Sequence, residues 1–317
     1  GVVIPNYNGE AFIAKTVVAA IQALERLEVP GKIYVVDDAS KDQSVKVLQE
    51  NFGEHPSVCI IERSKNGSFS EACWTGAQAN VYSAILFLNS DVQMCPDALA
   101  EFWREFARPG NENVFAITGS YINEKEEPVL EVLNRGLFHM GLLRTRSTDD
   151  IALRSKTTRH LYANGGFSLF NTQRFIQLGG FSLLYKPFYV EDFDLSLRAL
   201  RMGYHNLYLP TAKGLHENSK TIKKYFTVSQ VKEITLVNRF LLVWTHMDSA
   251  QLWVRHILAI MCRNLGALLT ADGIYLRALT KALRKTDEVV RERKKIGATK
   301  IPLLTVLEQT ASWDPDR

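Results

Sequence analysis

The sequence predicts an α/β fold, with a mostly parallel central sheet, helices on both faces and a helical C-terminal region. Three observations predict it. Between Val2 and Gly119, short apolar runs alternate with segments of helical period. Four successive apolar runs each end in polar or glycine-rich sequence, as strands do when one sheet edge carries a site. After about Thr221 the pattern is almost wholly helical and rich in Leu, Trp and Arg.

The elements follow in order. Val2–Pro5 reads as a first strand, and Ala11–Leu27 as a helix closed by Pro30 and Gly31. Ile33–Val36 is a second strand, and Ser40-x-x-Gln43 reads as a capping box opening a helix to Phe52. Val58–Ile61 is a third strand, and Ser68-x-x-Glu71 reads as a second capping box. Ala84–Leu88 is a fourth strand, Pro96 and Asp97 open a further helix, and Val114–Gly119 is a fifth strand. From Tyr121 to Tyr162 the pattern loosens into an expected loop or insertion. Order returns at Asn164–Phe170, then in a helix from Glu191 to Met202 ended by Gly203, then in a strand at Asn206–Leu209. Residues 1–220 are expected to form the α/β unit, and residues 221–317 a helical region.

Composition bounds the function. The 317 residues are 46% hydrophobic and 23% charged, ample for a large core. The net charge of +4 suits an anionic ligand or membrane surface, and no basic recognition helix argues for nucleic acid. The four cysteines form no C-x-x-C pair, which speaks against a disulfide framework or zinc ribbon. No signal peptide is visible, and the chain opens inside a strand pattern, which suggests trimming. Arg255, His256, Arg263 and Asn264 interrupt the apolar stretch Leu252–Thr270. Each Arg would cost roughly 2.5–3.5 kcal/mol at a bilayer centre, so a spanning helix is not expected. The expected location is cytoplasmic, with peripheral contact on the inner membrane face as a second reading of the late helices.

The polar strand ends are Pro5-Asn6-Tyr7-Asn8-Gly9, Asp37-Asp38-Ala39-Ser40, Lys65-Asn66-Gly67 and Asn89-Ser90-Asp91. Each alone is turn chemistry; together they point to a ligand site. Neither G-x-G-x-x-G nor G-x-x-x-x-G-K-[ST] is present, which disfavours a nicotinamide cofactor and a P-loop nucleotidase. The edge is acidic. A divalent metal would reconcile Asp91 with a diphosphate, and Asp37 or Asp38 could accept hydrogen bonds from a base or ribose.

These residues, in this order, resemble glycosyltransferase family 2, whose members have the GT-A fold. VVIPNYN followed by VVDDASKDQS is similar to the family's opening motifs, and FLNSDV to its D-x-D region. GGFSLLYKPFYVEDFDLSLRALRMGY resembles its G-G-F…E-D-x-D block, and His216 in KGLHENS sits where the family often has a metal-ligating histidine. The resemblance covers roughly residues 1–220. It implies an inverting, sugar-nucleotide-dependent hexosyl- or deoxyhexosyl-transferase. Pro5, Asn6, Tyr7, Asp37, Asp38, Asn66 and Ser90 would bind the nucleotide of a UDP- or dTDP-sugar. Asp91 and His216 would hold Mg²⁺ or Mn²⁺. Asp192 would be the general base, with Glu191 orienting it, and Asp194 would serve the helix, pairing with Arg198. The acceptor would be a glycan or a lipid-linked glycan. The sequence departs from the pattern at Asn89, the first D-x-D position, at Trp74 and at Ser182. Two alternatives stand beside this reading. A sugar-1-phosphate nucleotidyltransferase lacks support in PNYNGE. A non-catalytic binding subunit of the same fold draws support from Asn89.

Overall fold

The computed structural model describes residues 1–123, 125, 134–147, 155–216 and 225–311. Its first half alternates β1 (Val2–Asn6), α1 (Ile13–Glu25), β2 (Ile33–Asp37), α2 (Ser44–Phe52), β3 (Val58–Glu62), α3 (Phe69–Ala79), β4 (Ala84–Leu88), β5 (Val92–Met94), α4 (Ala98–Phe106) and β6 (Val114–Ile122). A hairpin, β7 (Asn134–His139) and β8 (Leu142–Ser147), and a short β9 (Thr158–His160) occupy part of the segment expected to be a loop. Then come β10 (Phe167–Asn171), α5 (Thr172–Gln177), a 3₁₀ turn (Leu183–Tyr185), α6 (Glu191–Arg201) and β11 (His205–His216). Five helices follow: α7 (Val228–His246), α8 (Ala250–Leu269), α9 (Gly273–Leu283), α10 (Thr286–Ile296) and α11 (Leu303–Ala311).

The main sheet has the order β3-β2-β1-β4-β10-β6-β11-β5, with β9 against β11. Strands β1 to β4 are parallel, as are β6 and β11. β10 runs antiparallel between β4 and β6, so the expected fifth strand is not adjacent to the fourth. Successive β1 side chains face opposite ways. Val2 and Ile4 pack with α1, α2 and α4, whereas Val3 packs with Ala72, Cys73 and Ala77 of α3. Both faces are thus covered, which explains the continuous apolar runs.

Neither expected capping box forms. α2 begins at Ser44 and α3 at Phe69, and neither has a side-chain cap. Ser40 is drawn to Asp37 instead, and Glu71 to Arg63 and Lys186. Other partners outcompete the capping motif in both cases. A true capping box opens α7, where Thr227 and Gln230 bond reciprocally.

A third core joins the late helices to β8, the 3₁₀ turn and α6. Phe240, Leu241 and Trp244 of α7 pack with Leu142 and Leu143 of β8, Tyr185, and Phe193 and Leu197 of α6. At its centre lies the Asp194 carboxylate, 0% exposed. It accepts from Tyr185 Oη (2.9 Å), His246 Nε2 (2.8 Å), and Arg198 Nε (2.9 Å) and Nη2 (2.7 Å). Burial would raise its pKa, but Arg198 and His246 more than offset this and hold it at about 2. Arg198 also donates to the carbonyls of Leu178 and Gly180, fixing the Gly179-Gly180 turn, whose φ values of +80° and +62° glycine tolerates.

Replacing Asp194 by Asn should therefore destabilise the fold by about 3–5 kcal/mol, the cost of leaving a buried guanidinium without its counter-charge. Urea unfolding checks this. Because the folded pKa is depressed, this contribution is present above about pH 4 and fades as pH falls towards 2 in the wild type. The difference between the two proteins should shrink over that window.

Candidate active site

The parallel strands bring their carboxyl ends to one edge. Asn6 lies in register with Asp37, and Asp37 with Glu62. β10, running the other way, brings its amino end to the same edge: Phe167 pairs with Leu88, the last residue of β4. The Asn164-Gly165-Gly166 turn therefore sits against Asn89-Ser90-Asp91, and Asn89 N–H donates to the Gly166 carbonyl (2.8 Å). A side chain at 166 would displace its neighbours: a Cβ there would lie 2.6 Å from Asn89 Nδ2 and 2.9 Å from Tyr121 Oη.

The two aspartates after β2 have different duties. Asp37 accepts from Asn6 Nδ2 (2.8 Å), Ser40 Oγ (2.6 Å) and Ser40 N–H (2.8 Å), and so ties the first strand end to the second. Asp38 reaches the third loop, accepting from Arg63 Nη1 (2.6 Å), Gly67 N–H (3.0 Å) and Ser68 N–H (2.9 Å). Arg63 continues to Glu71 (2.5 Å), and Glu71 to Lys186. One ion network thus runs from β2 to the loop before α6. Asn66 is exposed beside it, Tyr7 is half-buried, and Pro5 is buried. Asn8 Nδ2 donates to Tyr225 Oη (3.0 Å), where the described chain resumes, and the Tyr7 and Tyr225 rings lie 6.5 Å apart.

Asp91 and His216 meet. Their Oδ2 and Nε2 atoms are 3.4 Å apart, and both side chains are partly exposed. A bulge makes this possible. β11 follows β6 to Leu209, slips around Pro210–Ala212, and resumes pairing at Lys213. Pro210 has no N–H for the ladder. Beyond the slip, His216 pairs with Val92, the neighbour of Asp91. Among the described residues no group of three His, Cys, Asp or Glu side chains forms a metal-ligand cluster. A carboxylate and an imidazole at this separation fit two positions of a divalent ion that leaves the others for substrate oxygens.

Tyr121 links this pair to the carboxylates of α6. Its ring lies 5.2 Å from that of His216, and its hydroxyl donates to Asn164 Oδ1 (2.9 Å). Its pKa is raised by burial and then by the nearby charges of Asp91 and Asp192. Asp192 accepts from Phe193 N–H (2.7 Å). Burial raises its pKa to about 6 despite that bond and one from Gly165. Glu191 is raised further, by burial and then by Asp192, and its Oε2 is buried without a partner. Two neighbouring carboxyls therefore share one proton near neutrality. Arg146 and Arg159, considered in sequence as phosphate clamps, are exposed; Arg144 is half-buried, and Arg154 lies outside the described residues.

Sequence reasoning missed Asn238. Buried in α7, it directs Nδ2 at the carbonyls of Tyr185 (2.6 Å), Phe188 (2.8 Å) and Tyr189 (3.2 Å). It clamps the loop that delivers Glu191 and Asp192, where Val190 sits at φ +73°. That conformation is costly for a β-branched residue and needs outside support. A signal was present: an Asn, beside Arg239, in the otherwise apolar segment Leu236–Leu242.

Comparison with known proteins decides the family. The Glycosyl transferase family 2 profile matches residues 1–177, more than half of the chain. The chain belongs to glycosyl transferase family 2. An uncharacterized glycosyltransferase, YkcC, of Bacillus subtilis (strain 168) is 29% identical over 119 residues, 37% of this chain and 36% of the relative. The undecaprenyl-phosphate 4-deoxy-4-formamido-L-arabinose transferase of Pectobacterium atrosepticum is 30% identical over 146 residues, 45% of this chain and 43% of that one. The match thus spans less than half of these relatives' lengths. Among solved structures, a Pyrobaculum calidifontis mannosyltransferase in complex with GDP-Man and Mn²⁺ superposes with TM-score 0.54 at 14% identity, covering 98% of this chain and 86% of that one. GalNAc-T7 with UDP, GalNAc and Mn²⁺ gives TM-score 0.59 at 16% identity, covering 78% and 48%. The fold is thus that of GT-A glycosyltransferases.

Asn238→Ala should loosen the loop that delivers Glu191 and Asp192, and lower any transferase turnover by about 10², the scale of an ångström-sized misplacement. Nucleotide affinity, measured by calorimetry, should stay within about two-fold, since nothing on the polar sheet edge touches Asn238 among the described contacts.

Proposed function

We propose that the chain is an inverting glycosyltransferase. It would move a hexosyl or deoxyhexosyl group from a UDP- or dTDP-sugar to a hydroxyl of a glycan or lipid-linked acceptor. One observation supports this reading: Tyr121 lies between the Asp91–His216 pair and Asp192, whose pKa, like that of its neighbour Glu191, is raised by burial.

The first strand end, with Pro5, Asn6 and Tyr7, would cradle the nucleoside. Asp37 and Asp38 would shape that cradle through Ser40, Gly67 and Ser68, leaving their outer edges and Asn66 to the base and ribose. Ser90 would border the phosphates. Asp91 and His216 would hold Mg²⁺ or Mn²⁺, which when bound offsets the charge on the departing diphosphate. Asp192 would take the proton from the acceptor hydroxyl as its oxygen attacks the anomeric carbon opposite the diphosphate. Glu191, holding the shared proton, would keep Asp192 the ionised member. The Pectobacterium relative named for undecaprenyl phosphate supports a lipid-linked acceptor, and with it peripheral contact on the inner membrane face. The second reading, a non-catalytic binding subunit, is favoured by Asn89 alone.

Calorimetry with UDP and dTDP, with and without Mn²⁺ or Mg²⁺, tests the donor site. Metal-dependent binding should fall at least about ten-fold in Asp91→Ala. No binding of either nucleotide under any condition would sink the assignment. Asp192→Asn should cost about 10²–10⁴ in kcat while nucleotide binding persists. Because the Asp192 pKa is raised, its basic form is lost as pH falls, so kcat/KM should drop through about pH 6. An acid limb near pH 4, the ordinary carboxylate range of about 4, would argue for a different base. Turnover absent in the wild type despite nucleotide binding would favour the binding subunit.

A further inference from the structure

One face of α8 has no cover. Val254, Leu258, Met261, Leu265 and Leu268 recur at i, i+4, i+7, i+11 and i+14, with Ile257 beside them, and all six are 51–67% exposed. No charged residue falls on this stripe. Apolar side chains this large, contiguous along a helix, mark an interaction surface rather than scattered exposure. By length and composition α8 could cross a membrane, with mean hydropathy 1.3 over its most apolar window, yet only 17% of that window is buried in the protein.

The opposite face shows that α8 does not leave the protein. Leu252, His256 and Ala267 are buried in the core shared with α7 and α9. Trp244 Nε1–H donates to His256 Nε2 (2.7 Å), and His256 Nδ1 bonds the Gly141 carbonyl (2.5 Å). Gly141, at φ +73°, turns β7 into β8 so tightly that a Cβ would lie 2.6 Å from Ala259. Arg263 stacks on the Tyr275 ring, 4.8 Å from its centroid. The helix is fixed on one side and apolar on the other, the geometry of a helix lying in an interface.

Charge selects the occupant. Residues 225–311 hold 13 Lys and Arg against 7 Asp and Glu, a net of +6, whereas the whole chain carries +4. The positive charge thus gathers on the region that bears the apolar face. A second copy would bring the same charge against itself, whereas an anionic bilayer attracts it.

We propose that the exposed stripe of α8 seats the protein on an anionic lipid bilayer, its apolar face sunk to the headgroup–acyl boundary. This deepens the lipid-linked acceptor reading, but lipid binding needs no donor and no turnover, so the two stand or fall separately.

The test is co-sedimentation of the full chain with vesicles of phosphatidylglycerol and phosphatidylethanolamine, or of phosphatidylcholine alone, without nucleotide. The wild type should bind the anionic vesicles and be released by salt. The triple variant Leu258→Glu, Met261→Glu, Leu265→Glu should partition about ten-fold less or worse, with its unfolding temperature retained. A wild-type measurement covers the case in which that variant misfolds: brominated lipids should quench Trp253, which flanks the stripe, and Trp253→Phe should remove the quenched component. Absence of wild-type binding, equal binding by the triple variant, or no quenching overturns the proposal. A wild-type dimer by light scattering that the triple variant converts to monomer, without vesicle binding, assigns the face to a second copy instead.

Discussion

The arrangement rests on one buried carboxylate. Asp194 lies in the first turn of α6, two residues after Asp192, and gathers a phenol, an imidazole and a guanidinium from three parts of the chain. Burying a charge is tolerable only when its lone pairs are filled, and here four donors fill them. The cost of losing any partner makes the geometry stiff. Tyr185 anchors the entrance to the α6 loop, His246 ties it to the end of α7, and Arg198 holds the Gly179-Gly180 turn. The Glu191–Asp192 pair is thus placed by groups that lie outside the site itself.

The same helix start holds two opposite electrostatic outcomes. Asp194 is depressed because cationic and hydrogen-bonding partners face it, whereas Asp192 is raised because burial dominates and no counter-charge is among its causes. Glu191 is raised further by its neighbour. Three carboxyls within four residues therefore divide into one held as an anion and two whose ionisation burial opposes. Helix-end electrostatics alone treats all three as favourable charges. The resemblance set Asp194 apart as the partner of Arg198, and the core packed around it shows that pair.

The fold was legible because both sheet faces are covered, so the strands read as continuous apolar runs broken by polar ends. The edge was legible for the same reason: Asn6, Asp37, Asp38 and Asp91 stand where apolar sequence stops. What was not legible is partner choice. Ser40 and Glu71 fit capping boxes locally, but an aspartate three residues back and an arginine eight residues back claim them. Strand order hid as well. Nothing local in Phe167–Asn171 says that it runs antiparallel between β4 and β6, yet that reversal brings Gly165 and Gly166 to the edge. Asn238 was hidden by distance, lying 49 residues after even the nearest carbonyl it holds.

The position of His216 shows how an irregularity serves a site. The slip at Pro210–Ala212 shifts the register of β11 on β6, so that Lys213, Gly214 and Leu215 meet the last residues of β6. On their other side Gly214, Leu215 and His216 pair with β5. β5 begins one residue after Asp91, so the two side chains emerge from adjacent strand ends. The 3.4 Å pair thus follows from backbone pairing, and neither side chain needs the other to hold it there. Such a pair can accept a divalent ion without refolding, because the strands that carry it are already in place.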